Sequence, residues 1–241
     1  MSDVVELPVA AIDHALPIAP QVYDYVRARI VDNRLPPGAK ISETVLSRKL
    51  DISRTPLRAA LQKLASEGLV LTRPQVGSIV AKLDNAQLIE AIWIRAALET
   101  AVVRKLAESK ADLATLEPIL IIQKRAAALD DYATFFGQDE AFHAELARIA
   151  GMPRAWTLAM SIKGHVDRQR YAMMAGIPKR SQRAFEEHFG IIEEIRSGNP
   201  AGAASAMRDH VNSVLELGVQ DHETDLPTEF GQTMKPLGGK P

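Results

Sequence analysis

The sequence predicts a mostly α chain in two parts: a module of three helices closed by a β-hairpin, then an all-α bundle of about six helices. Three observations carry this. Short β-branched runs sit together in one place, LVLT and SIVAKL, between residues 69 and 83. From Asp84 onward the apolar residues recur at helical spacing and strand signals vanish. Charge divides along the same line. Residues 20–82 hold 11 Lys and Arg against 5 Asp and Glu, so this segment is +6 and the remainder of the chain is −7. A basic module joined to an acidic one suggests that the first meets a polyanion and the second does something else.

In the first module, QVYDYVRARIVDNRL places Val22, Val26 and Ile30 on one helix face, and LPPG stops it. ISETVLSRKL follows, with Ser42 as N-cap and Val45, Leu46 and Leu50 facing inward. A three-residue turn, Asp51-Ile52-Ser53, leads to a third helix. There Thr55 is placed to cap, Pro56 fits the first turn, Leu57, Leu61 and Leu64 form the buried stripe, and Gly68 ends it. The β-branched runs around RPQVG then pair as a hairpin.

Three helices plus a hairpin describe a winged helix-turn-helix, whose second motif helix offers its N-terminal end to the major groove. That end reads Ser53-Arg54-Thr55-Pro56-Leu57-Arg58. Arg54 and Arg58 lie four apart on the face opposite the leucines, where guanidiniums can grip guanine bidentately or neutralise phosphates. The Ser53 and Thr55 hydroxyls can donate to phosphate at the same helix end. Either arginine alone would be an ordinary solvated surface residue. The capped start, the preceding short helix, the paired arginines and the wing together favour double-stranded DNA.

SRTPLRAALQKLASEGLV followed by RPQVGSIV resembles the DNA-binding domain of the GntR family of bacterial transcription regulators, and LPPGAKISETVLSRKL is similar to that family's lead-in. The resemblance implies that Arg54 and Arg58 contact operator bases and phosphates, and that Gly77 at the wing tip approaches the minor groove. Ala59 stands where the family usually carries Glu, at a position that does not read bases.

The second module opens with DNAQLIEAIWIRAALETAVVRKLAE, one amphipathic helix capped by Asp84 or Asn85. Its stripe is Leu88, Ala91, Ile92, Arg95, Leu98, Val102 and Leu106, so Arg95 interrupts an apolar face. Glu99, one turn later, is the expected ion-pair partner; the other reading is a cation waiting for an acidic ligand. Further helices are expected over roughly 112–128, 130–150, 153–175, 180–197 and 200–220, with Pro118 as a kink and breakers at Gly151-Met152-Pro153, Gly176-Ile177-Pro178 and Gly198-Asn199-Pro200. The domain limits that follow are an extension over 1–19, the DNA-binding module over 20–83, the helical module over 84–222 and a flexible tail over 223–241.

On these helices His143, His188 and His210 each fall within an inward-facing apolar stripe, and Asp139 lies one turn before His143 beside Phe135, Phe136 and Phe142. His14 and His222 fall in the terminal segments, and His165 has a mixed face between Ile162 and Arg168. A lone His on an apolar face is more often a packed core residue than a ligand. Three of them with an Asp are different, because burying four such groups without compensation costs several kcal/mol. A divalent cation compensates them, and three imidazoles with one carboxylate suit Zn²⁺, Ni²⁺, Mn²⁺ or Fe²⁺ without choosing among them.

IRAALE, DEAFHAELARIAG and EEHFGIIEEIRSGNPAGAASAMRDHV, in that order, resemble the FCD ligand-binding domain of the FadR-type branch of the same family. The resemblance implies metal ligands at Asp139, His143, His188 and His210, and makes Arg95 a candidate to meet an effector's carboxylate. Arg168 and Arg170 are weaker effector candidates, on a helix that often lines the family's pocket. It further implies a homodimer on a palindromic operator, a small organic or sugar acid as effector, and repression as the output.

The chain has no cysteine, which excludes disulfides, thiolate metal sites and thiol catalysis. No apolar run reaches bilayer length and the N-terminus lacks a basic segment before an apolar one, so the expectation is a cytoplasmic protein without a membrane partner. Two other functions fit less well: a metalloenzyme fused to a DNA-binding domain, for which Glu140 and Glu145 are the nearby acids, and a regulator with a purely structural metal. The expectation is that the chain is not an enzyme.

Overall fold

The structure, a computed structural model, describes residues 12–73, 77–174, 177 and 179–215. The expected tail over 223–241, His222 and the tip of the wing at 74–76 lie outside the described residues.

The N-terminal module is built as its sequence indicates. Helix α1 (Ile18–Val31) buries Val22, Val26 and Ile30. Helix α2 (Glu43–Lys49) starts at Ser42, whose hydroxyl accepts from the Val45 amide at 3.4 Å. Helix α3 (Arg54–Ser66) buries Leu57, Ala60, Leu61 and Leu64 against α1. Its N-cap position is Ser53, two residues earlier than the expected Thr55. The reason is Asp51, whose positive φ of 51° reverses the chain early and leaves Thr55 already helical. Strands β2 (Val70–Arg73) and β3 (Gly77–Val80) form the expected antiparallel hairpin, with Val70 opposite Val80 and Arg73 opposite Gly77. A third strand, β1 (Lys40–Ile41), pairs with β3 and gives the order β1-β3-β2. It was not expected, because two residues are too few to show alternation.

The C-terminal module packs around α4 (Asn85–Ser109), capped by Asp84, whose carboxylate accepts from the Ala86 and Gln87 amides. A 3-10 turn (Ala114–Leu116) precedes α5 (Glu117–Ala128), so Pro118 stands in a helix's first turn instead of kinking one. Then come α6 (Tyr132–Ile149), α7 (Pro153–Ile162), α8 (Gly164–Met174), α9 (Arg180–Ser197) and α10 (Pro200–Asn212). The single helix expected over 153–175 is therefore two, divided at Lys163, and seven helices stand among the described residues where about six were expected. Helix α4 runs against α6, α7, α8, α9 and α10 and is the centre of the bundle.

Among the described residues the two main apolar cores run from Val22 to Val80 and from Leu88 to Val214, and a smaller cluster joins Ala126, Ala127, Phe135 and Ala184. Between them α8 lies against the first module. Gly68, with φ +73°, ends α3 so close to the bundle that an added Cβ would come within 3.3 Å of His165 Nε2. No helix among the described residues is long and apolar enough to cross a membrane.

Candidate metal centre and nucleic-acid interface

Three helices supply the cluster that the sequence singled out. Asp139 and His143 come from α6, four apart and on one face; His188 comes from α9 and His210 from α10. All four are buried, and one ligand atom from each lies within 4.8 Å of every other. His188 Nε2 and His143 Nε2 are each 3.3 Å from His210 Nε2, and His188 Nε2 is 3.4 Å from Asp139 Oδ1.

What aims these rings is a set of acceptors on their far sides. Glu99 Oε2 lies 2.6 Å from His143 Nδ1, and Glu187 Oε2 lies 2.8 Å from His210 Nδ1. Gln123 Oε1 lies 3.0 Å from His188 Nδ1, while the Gln123 amide nitrogen donates to the Gln138 carbonyl at 2.9 Å. That second bond fixes the amide, so its oxygen faces His188 and the ring must carry its proton on Nδ1. Glu187 sets the same tautomer on His210 through its hydrogen bond, and the Glu99 carboxylate beside His143 Nδ1 favours it there by charge. Each Nε2 then carries a lone pair, and three lone pairs converge beside a carboxylate. Stacking holds the planes: Phe142 lies 4.1 Å from the His188 ring, and Trp156 is nearly parallel to His143 at 5.7 Å.

Electrostatics keeps the donors in their coordinating forms. Burial lowers all three imidazoles, that of His188 to about 4, so they are neutral at neutral pH. Burial works to raise Asp139 and Glu99, but neighbouring charges outweigh it. Arg170 holds Asp139 well below the carboxylate range, and Arg95 does the same for Glu99.

The arginines named from sequence separate here. Arg95 is buried and donates through Nε to Glu99 at 2.7 Å, which makes it the far end of an Arg95–Glu99–His143 chain. Arg170 grips Asp139 through both terminal nitrogens, at 2.7 and 3.0 Å. Arg168 is not brought to the cluster; it donates to the Ala81 carbonyl at 2.8 Å, at the junction of the modules. The two acids considered for catalysis are engaged elsewhere, Glu140 with Lys163 and Arg27, Glu145 with Arg148. Sequence reading missed Gln123 and Glu187. Gln123 carried the same signal as the histidines, a polar residue on an otherwise apolar buried face with Ala126 and Ala127.

On the first module Ser53, Arg54, Thr55 and Arg58 are all exposed at the open end of α3. Arg58 Nε donates to Glu43 at 2.8 Å and Arg54 donates to the Thr44 hydroxyl at 3.3 Å, so the start of α2 orients both side chains. Gly77 is exposed with φ +93°, a backbone conformation that glycine adopts without strain.

Two family models match the chain. The bacterial regulatory protein GntR family matches residues 18–80 and the FCD domain matches residues 90–213. The HTH-type transcriptional repressor RspR of Escherichia coli is 32% identical over 202 residues, covering 83% of this chain and 88% of that one. An HTH-type transcriptional regulator in an unstable DNA locus of Streptomyces ambofaciens is 34% identical, covering 81% and 82%. The structure of E. coli McbR/YncC superposes with a TM-score of 0.71 at 19% identity, over 82% of this chain and 95% of that one, and so shares the fold. The chain belongs to the GntR family of bacterial transcription regulators, as a member with an FCD domain, and is a DNA-binding regulator and not an enzyme.

Proposed function

We propose that this regulator holds one divalent transition metal on Asp139, His143, His188 and His210, and that a small organic or sugar acid acting at that centre changes its affinity for a palindromic operator. The observation that carries the reading is the convergence of three unprotonated Nε2 atoms beside an ionised carboxylate. Lone pairs 3.3 Å apart with no proton between them repel, and a cation removes the repulsion. The spacing also fits, since tetrahedral bonds of about 2.0–2.1 Å put donors about 3.3–3.4 Å apart. When bound, the ion would supply a positive charge and, by expanding its coordination beyond these four donors, a Lewis-acidic position for an effector carboxylate.

Arg54, Arg58, Ser53 and Thr55 read and clamp the operator from α3, with Gly77 at the wing. Two copies related by a two-fold axis would match the two halves of a palindrome. The similarity to RspR supports repression as the output.

A second reading keeps the metal as a purely structural part. It is favoured by the state of Arg95 and Arg170, which are already paired to Glu99 and Asp139. One experiment separates the two. Metal content is measured on purified protein, and the protein is then screened by thermal shift against organic and sugar acids. An acid present at about 100 times its Kd should stabilise by about 2.7 kcal/mol. It should also change operator retention in a mobility-shift assay. Metal without any responsive acid supports the structural reading; no metal at all rejects both.

A further inference from the structure

We propose that α8 couples the metal cluster to the DNA-binding module, with Asp167 as the switch point shared between Arg27 of α1 and Arg170 of its own helix. This rests on the metal reading above. The first two turns of α8 lie against the other module. An added Cβ at Gly164 would come within 2.7 Å of the Leu69 side chain, and His165 lies beside Gly68. Asp167 is fully buried and ion-paired to Arg27; Arg168 holds the Ala81 carbonyl. Two residues further on, Arg170 grips Asp139. One short helix thus touches, in succession, the residues that follow α3, then α1, the residue that follows β3, and the cluster.

Asp167 and Arg170 are three apart on α8, so their side chains share a face. Asp139 is what holds Arg170 on the cluster side. A divalent cation on Asp139 repels that guanidinium and satisfies the carboxylate in its place. Arg170 is then a buried cation short of a partner, a costly state, and Asp167 is the anion on its own face. As Asp167 turns to Arg170 it gives up part of its hold on Arg27. Lys163 also pairs with Asp167, and Glu140 bridges Lys163 and Arg27 at 2.7 and 3.4 Å. These contacts persist, so α1 loosens on the bundle while both modules stay folded. Linkage makes the effect reciprocal: whatever frees Asp167 from Arg27 must tighten metal binding.

Hydrogen exchange of the α1 amides in the full-length protein tests this, with and without Zn²⁺ added to chelator-treated protein. Zn²⁺ is expected to speed exchange over residues 22–31 by about five-fold or more, within the usual range of coupling between sites. Arg170→Met, or Arg170→Lys if the first variant folds poorly, should abolish that response. Arg27→Met should bind Zn²⁺ more tightly by a similar factor. Asp139→Asn should loosen α1 with no metal present. Zn²⁺ uptake with unchanged α1 exchange overturns the coupling. Absence of Zn²⁺ uptake overturns the metal reading alone, and Asp139→Asn then decides the coupling: loosened α1 supports it, unchanged α1 overturns it.

Discussion

Replacing His188 with alanine is expected to weaken metal binding by more than about 100-fold, so that protein purified without added metal carries almost none. His188 is fully buried between Phe142 and the other two imidazoles, and its Nε2 contacts both His210 and Asp139. Removing it takes away a donor and leaves its neighbours without a shared centre. Gln123→Ala tests the same geometry one step out. It removes the acceptor that fixes the His188 tautomer but leaves every donor in place, so the loss should be about 10–100-fold, the usual effect of an outer partner. Competition with a chelator of known affinity measures both. A His188→Ala protein that holds as much metal as wild type would remove these four residues as the site.

The second large effect is expected at α3. Arg54→Ala and Arg58→Ala should each cost about 1–3 kcal/mol of operator affinity where the side chain reads a base. Where it neutralises a phosphate, the salt dependence should fall by about one unit of slope. The two roles are told apart by repeating the titration over a range of salt and on an unrelated duplex. A base contact loses only the specific complex; a phosphate contact weakens both. Arg58 is already tied to Glu43 by one nitrogen, which leaves its other donors for DNA, and Arg54 is held to the same helix by Thr44. Unchanged operator affinity in the double variant would mean that another surface binds DNA.

Much of this was legible in the sequence because local pattern decided it. Leu57, Leu61 and Leu64 recur at helical spacing and are buried together; Asp139 and His143 are four apart and face the same way. His188 and His210 could be added because each interrupts an apolar stripe. Long-range pairings left no such trace. Arg27 looks like one more solvated charge on α1, and only the arrival of Asp167, 140 positions later, buries it. The break at Lys163 was hidden because no proline marks it; Gly164 stands there because α8 must approach Leu69. The family resemblance names Arg168 and Arg170 together because their helix often lines the pocket, yet two residues along a helix turn a side chain to a different face. One meets the domain junction and the other the cluster.

The acceptors behind the histidines have a consequence for the order of folding. Glu99, Gln123 and Glu187 stand on α4, α5 and α9, and the rings they hold on α6, α9 and α10, so the site draws on the chain from residue 99 to residue 210. Only the Asp139–His143 pair is local. Closing so many long loops is unfavourable before the apolar core has collapsed. An ion taken up here therefore arrives late, after the rate-limiting step, and adds its binding energy to the finished bundle alone. Interactions formed that late act on the escape rate and hardly on the approach rate. Chelation should accordingly shorten the lifetime of the folded chain in denaturant while leaving its refolding time nearly unchanged, a pair of rates that stopped-flow mixing reads directly.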